Sequence, residues 1–332
     1  MTRENNIYEQ MEKDIYNANI GEVEKSKLLK NLIQLKEKKI NIMITGATGC
    51  GKSSTINALF NSEVAKVGVG VDPETMEIVK YELGNLILWD SPGLGDGKEA
   101  DNRHAKNIIK KLSEVDSDGK ALIDLVLVIL DGSSRDLGTS YELINNVIIP
   151  NLGQEKDKRI IVAINQADVA MKGRYWDYEN NEPQQKLVDF LEQKVVSVKN
   201  RIYEGTGVEI EPIYYSAGFK EEGEMQTKPY NLSKLLWLII KATPKEKRLA
   251  YVDNINKDKE MWKKNDELED YTKEIHKSFA ETIKDCAAEG ADIGEEIGSI
   301  FGSVGEKVGR AVGTFVGGVV GVGKAVLGRL FG

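Results

Sequence analysis

One run of residues constrains this chain more than any other: Gly46-Ala47-Thr48-Gly49-Cys50-Gly51-Lys52-Ser53. It fits the pattern G-x-x-x-x-G-K-[ST] without departure. Glycines let the backbone turn tightly, so that successive N–H groups face inward and cradle phosphate oxygens. A helix that follows adds the positive end of its dipole. The context suits this reading. The apolar stretch 40–45 reads as a buried strand, and Ile56, Leu59 and Phe60 give an amphipathic helix after the loop. The candidate phosphate-binding residues are Gly46, Thr48, Gly49, Cys50, Gly51, Lys52, Ser53 and Ser54. Lys52 would reach the β- and γ-phosphates as a point charge, and the Ser53 hydroxyl would ligate Mg²⁺.

Three further motifs follow in order. Asp90-Ser91-Pro92-Gly93 closes the apolar strand 86–89, where a carboxylate would hold the Mg²⁺ shell. The Gly93 N–H could meet a γ-phosphate with no side chain in the way. Between the two motifs, Thr75 in the segment 67–77 is the candidate threonine that completes the Mg²⁺ shell when the γ-phosphate is present. Lys52, Thr75 and Gly93 are therefore the catalytic candidates, and Ser53, Thr75 and Asp90 the metal candidates. Asn165-Gln166-Ala167-Asp168 follows the apolar run 160–164. A carboxylate at Asp168 accepts hydrogen bonds from guanine N1–H and the 2-amino group; adenine lacks both donors. Ser216-Ala217-Gly218 ends the last expected strand, with backbone N–H groups available to the guanine O6. Alone, D-x-P-G is a common turn and N-x-x-D a common cap. Their order behind the first loop selects the functional reading: guanine nucleotide, GTP or GDP, with Mg²⁺.

The architecture expected is α/β. The runs 122–130 and 160–164 are rich in Val and Ile, as strands buried on both faces of a parallel sheet are. Gly84-Asn85 between 76–83 and 86–89 marks an antiparallel hairpin. A last strand is expected over 209–215, and helices over about 103–115, 138–149, 184–203 and 231–242. The nucleotide domain spans 39–245, with a helical extension over 1–38 and a helical region over 246–332. Two cysteines, Cys50 and Cys286, allow no disulfide framework, and the polar opening residues lack a signal peptide's apolar core. The expected location is cytoplasmic, with a peripheral membrane position left open by the tail. A net charge of −8 argues against a nucleic-acid surface.

The tail changes character. Over 291–332, Gly recurs at every third or fourth position among valines, and the longest uncharged stretch, 311–323, has 13 residues. That is short of the about 20 needed to span a bilayer. Three readings stay open: a helical hairpin docked on the protein, a segment that contacts membrane, and an oligomerisation zipper. Trp176, Tyr175 and Tyr178 either cover the base or form a satellite core. Cys50 sits among N–H donors beside Lys52, which would lower its pKa; a tolerated small residue is the plainer reading.

The ordered set GATGCGKS, Thr75, DSPG, NQAD and SAG resembles the Era-like GTPases of the translation-factor-related class, and within them bacterial relatives of the interferon-inducible immunity GTPases. The resemblance covers about residues 40–245. It implies a Ras-like fold with a mostly parallel six-stranded sheet and one antiparallel strand, and Mg²⁺-dependent GTP hydrolysis. The chain departs from that pattern at four places. Gln166 stands for the lysine of N-K-x-D, Gly218 for the lysine of S-A-K, Gly49 for the asparagine that helps some relatives bind potassium, and Leu94 for the glutamine after D-x-P-G. Leucine cannot orient water through a hydrogen bond. Hydrolysis is therefore expected to be slow and to need a supplied group: a homodimer partner, an activating protein or an arginine in cis. Arg135 is one candidate, although Asp136 beside it favours a local ion pair. The function expected is a slow GTP-hydrolysing switch; a GTP-dependent scaffold with negligible hydrolysis and a ribosome- or RNA-associated GTPase are the alternatives.

Overall fold

The structure, a computed structural model, describes residues 6–60, 78–95, 97–219 and 227–288, with Ile300, Phe301, Ser303, Val304 and Val308. Thr75 and most of the tail lie outside the described residues.

The apolar run before the phosphate loop forms β1 (Ile40–Gly46), buried along its whole length. A hairpin turning at Gly84 joins β2 (Val79–Leu83) to β3 (Leu86–Asp90); Gly84 has φ +60°, a region that favours glycine. β4 (Leu125–Asp131), β5 (Ile160–Asn165) and β6 (Ile213–Tyr214) complete a six-stranded sheet in the order β2-β3-β1-β4-β5-β6. Only β2, at the edge, runs antiparallel. The Ras-like α/β fold expected from the motifs is the fold adopted. The last strand is shorter than the expected 209–215. Pro212 has no N–H to give a ladder, and pairing starts only after it.

The sheet is covered on both faces, as its unbroken apolar strands require. Leu125, Leu127 and Ile129 point into one core and Val126, Val128 and Leu130 into the other. The second core is closed by α4 (Lys98–Leu112), by α5 over 138–151, which carries a π-helical stretch at Leu143–Ile148, and by α6 (Gln185–Thr206). The first takes α3 (Lys52–Leu59), α7 (Leu232–Ala242) and both ends of the chain.

Those ends are held by named contacts. α1 (Ile7–Asn17) is capped by the Asn6 side chain, which accepts from the Glu9 N–H, and it buries Ile7, Tyr8, Met11 and Ile15 along one face. α2 (Glu22–Glu37) buries Leu28, Leu32 and Leu35. Downstream of Pro244 the chain does not run on as one helix. A 3₁₀ segment Lys245–Tyr251 and another at Lys259–Trp262 precede α8 (Tyr271–Ala288). Tertiary contacts override helix propensity there. Ile255 bridges to Phe60, and the Asn256 side chain donates to the carbonyls of Asn57 and Ala58. The Asn254 side chain donates to the Leu83 carbonyl. Lys247 pairs with Asp124 at 2.5 Å, at the foot of β4. Ile300, Phe301, Val304 and Val308 are buried in the same core, while Asp14 on α1 accepts from the Ser303 hydroxyl and the Val304 N–H. Ser303 and Val304 of the tail therefore dock on α1. The choice among hairpin, membrane contact and zipper for the rest falls outside the described residues. Among the described residues, no helix is long and apolar enough to cross a membrane.

Candidate functional site

The phosphate loop leaves β1 and enters α3 with Gly46, Gly49 and Gly51 at φ +148°, +79° and +90°. At two of these glycines, space as well as backbone conformation forbids a side chain. A Cβ on Gly46 would lie 2.2 Å from the Ile129 carbonyl oxygen, and one on Gly51 would lie 2.2 Å from the Asn165 amide nitrogen. Lys52 Nζ donates to the Gly46 and Ala47 carbonyls, 3.2 Å each, which folds the ammonium back over its own loop. Thr55 on α3 donates to the Gly51 carbonyl and meets the Tyr215 hydroxyl at 2.7 Å.

Cys50 follows the plainer of its two readings, a tolerated small residue. Its thiol is fully buried, and burial pushes its pKa up to about 11 against the opposing pull of Lys52. The thiolate that a redox role needs is disfavoured.

Asp90 ends β3 beside the loop. Burial raises its pKa to about 6, with Lys52 opposing, and its Oδ1 is buried with no hydrogen-bond partner among the described residues. A carboxylate oxygen withdrawn from water and unpaired is an acceptor that a hard cation satisfies. Ser53, on the first turn of α3, carries the hydroxyl that would add a second oxygen, and a carboxylate with a hydroxyl is a donor set that suits Mg²⁺. Gly93 is pressed against the phosphate loop: a Cβ there would lie 2.5 Å from the Thr48 nitrogen. The Thr48 N–H donates to the Leu94 carbonyl at 3.3 Å, and the Leu94 side chain is buried in the core with Ile108 and Leu112. Leu94 thus points away from the site.

The base-side motifs converge on the same loop. Asn165 is almost fully buried; its amide donates to the Cys50 carbonyl at 3.0 Å, and its Oδ1 accepts from the Ala217 N–H at 2.9 Å. One side chain therefore joins phosphate loop, β5 and the S-A-G turn. Gln166, at φ +62°, donates to the Gly49 carbonyl at 2.9 Å. Its stem spans from β5 to the phosphate loop, the ground a lysine stem would cover. Among the described residues, no group donates to the Asp168 carboxylate. Ser216 and Ala217 are placed beside Asn165, but both expected O6 donors are engaged: Ser216 N–H donates to the Tyr230 carbonyl and Ala217 N–H to Asn165. Gly218 replaces a lysine because a Cβ there, at φ +68°, would lie 2.2 Å from the Thr227 carbonyl. Ser54 follows Ser53 on α3 at the loop's exit.

With this geometry established, comparison with known proteins is informative. Residues 41–166 match the family model described as "50S ribosome-binding GTPase". The chain is 30% identical over 148 residues to the uncharacterised protein YkfA of Escherichia coli K12, covering 43% of this chain and 47% of that one. It is 39% identical over 70 residues to interferon-inducible GTPase 1 of the mouse, covering 19% of this chain and 17% of that one. It is 30% identical over 96 residues to the probable GTP-binding protein EngB of Methanococcus aeolicus, covering 29% and 41%. The matches span about half the length of these relatives or less. The matched segment is a P-loop GTPase domain.

Within the GTPase domain, the sequence alone assigns no role to three residues that matter, among them His104, an isolated histidine with no metal-ligand company. His104 on α4 lies 2.9 Å from the Gly93 carbonyl and is 4% exposed. Its spacing to Ile108 and Leu112, one and two turns on, was the available signal. Tyr215 carries the hydroxyl that meets Thr55. Lys194 on α6 donates to the Gly132 and Ser134 carbonyls at 2.7 and 2.6 Å and so shapes the loop after β4. Nothing local in the sequence marks it. In that loop the expected ion pair is not formed: the Asp136 carboxylate accepts from the Gly138 N–H, and Arg135 is exposed with no ion-pair partner among the described residues. Trp176 belongs to the core, edge-on to Tyr230 at 5.6 Å, while Tyr178 is exposed.

Proposed function

We propose that the chain is a Mg²⁺-dependent guanine-nucleotide switch of the Era-like kind that hydrolyses GTP slowly. One observation carries this reading. The Asn165 amide locks the base loop to the phosphate loop, and the Asp168 carboxylate on the same loop receives no donor from the described residues. A carboxylate in that loop would accept the two N–H donors that guanine has and adenine lacks.

On nucleotide arrival Lys52 exchanges two loop carbonyls for phosphate oxygens, trading neutral acceptors for charged ones. Asp90 and Ser53 would hold Mg²⁺, which when bound would neutralise charge gathering on the transferred phosphoryl group. The chain's own residues position backbone N–H groups around the phosphates but set no side chain at position 94 to orient water. Catalysis then rests on electrostatic stabilisation alone until another group is supplied. Exposed Arg135, reaching a second copy or met by a partner protein, is the group offered in this chain. Membrane contact through 291–332 would be the other way to recruit such a partner.

Single-turnover hydrolysis of GTP and ATP, with and without liposomes, tests the reading. Slow GTP turnover with none of ATP is expected. No GTP turnover under any condition would leave the chain a GTP-dependent scaffold, and equal turnover of both nucleotides would remove the base assignment.

A further inference from the structure

The D-S-P-G turn is fixed on several sides before α4 is considered. Ser91 N–H donates to the Ile44 carbonyl at 3.0 Å, Thr48 N–H reaches the Leu94 carbonyl, and the Leu94 side chain is anchored in the core. Gly93 touches the phosphate loop so closely that no Cβ fits. None of these contacts reaches the Gly93 carbonyl itself, and glycine has the widest backbone freedom of any residue. His104 fixes that carbonyl. Its Nδ1 lies 2.9 Å from the Gly93 carbonyl oxygen. A carbonyl only accepts, so Nδ1 carries the proton of this bond. The ring itself is buried, on the same α4 stripe as Ile108 and Leu112, and cannot swing away without opening a packed core.

We propose that His104 is a positioning residue for the terminal phosphate of the nucleotide, acting through Gly93. The inference rests on the reading of this pocket as a GTP site. Holding the Gly93 carbonyl fixes the peptide plane after Gly93; with Ser91 and Leu94 already held on either side, the turn that carries the Gly93 N–H need not be ordered at the expense of binding. A diphosphate has no atom at that end of the loop, and its affinity does not depend on His104.

Two polar variants test this. His104→Asn keeps an N–H donor close to where Nδ1 stands. His104→Gln carries its amide one atom farther out, where it misses the carbonyl. Each is titrated with GDP and with a non-hydrolysable GTP analogue. The Gln variant is expected to lose about five- to tenfold in affinity for the analogue, the worth of one net hydrogen bond, and to keep its GDP affinity within about twofold. Single-turnover hydrolysis should fall in parallel, and the Asn variant should recover most of both. Equal losses for the two nucleotides would reduce His104 to a prop of the fold and overturn the proposal. So would Gln and Asn variants that both match the wild type. A wild-type chain that binds neither guanine nucleotide overturns the GTP reading, and this inference with it.

Discussion

Asn165 ties the phosphate loop and the S-A-G turn to the end of β5 through a single amide, whereas α1, α2, α8 and Phe301 are joined to the sheet by a broad apolar surface. The nucleotide end of the sheet depends on a few polar atoms at fixed places. The cover built from the chain's two ends depends on buried area, to which each residue adds a share. The contrast has a consequence for mutation. Changes at the loops should alter ligand binding and leave the fold standing, while changes in the cover should alter stability and leave the choice of nucleotide alone.

The largest effect belongs to the cover. Phe279 on α8 is fully buried. Phe279→Ala should cost about 3–5 kcal/mol in chemical denaturation, while the folded protein keeps its preference for guanine. A lost preference would break the separation between the two regions. Next comes the ion pair at the foot of β4. Lys247→Ala strands Asp124, whose side chain is 9% exposed, at a cost of about 2–3 kcal/mol, less than a fully enclosed pair because Lys247 is itself partly exposed. Burial already holds the Asp124 pKa above its ordinary value. A carboxyl whose folded pKa is raised binds its proton more tightly in the fold, so its penalty grows with pH and eases as pH falls. The gap between variant and wild type should therefore narrow when denaturation is repeated at lower pH.

The loops give smaller changes in stability and larger ones in binding. Asn165→Ala removes the bonds to Cys50 and Ala217, and GDP affinity should fall about tenfold or more, with circular dichroism unchanged. An unchanged affinity would mean that the bridge is dispensable. The smallest effect is a null one. Cys50 and Cys286 are both buried. A maleimide at neutral pH should label neither in the native protein and both after unfolding; rapid native labelling of Cys50 would contradict its raised pKa.

The two regions were also unequally legible in the sequence. GATGCGKS, DSPG and NQAD could be read because a phosphate cradle and a base-reading carboxylate each demand particular residues at fixed spacing. Strands 125–131 and 160–165 could be read because burial on both faces leaves unbroken apolar runs. The docking of the ends could not. Ile7, Met11 and Ile15 show a helical stripe, but a stripe does not name its partner, and the Asp14 to Ser303 contact joins residues 289 apart in the chain. The segment after Pro244 reads as helix by composition, yet Asn254 and Asn256 turn to satisfy carbonyls on β2 and α3 that no local pattern announces. His104 falls between these cases: its stripe was visible, but its carbonyl partner depended on how the D-S-P-G turn meets α4.

Asp168 and Asn165 are the residues proposed to make this loop a guanine site. Calorimetric titration of the wild-type protein with GDP and ADP, in Mg²⁺, tests that role most directly. GDP should bind more than about a hundredfold tighter, as expected where a carboxylate acceptor is met by the donors of one ligand and left unmet by the other. Equal affinities for the two would contradict it.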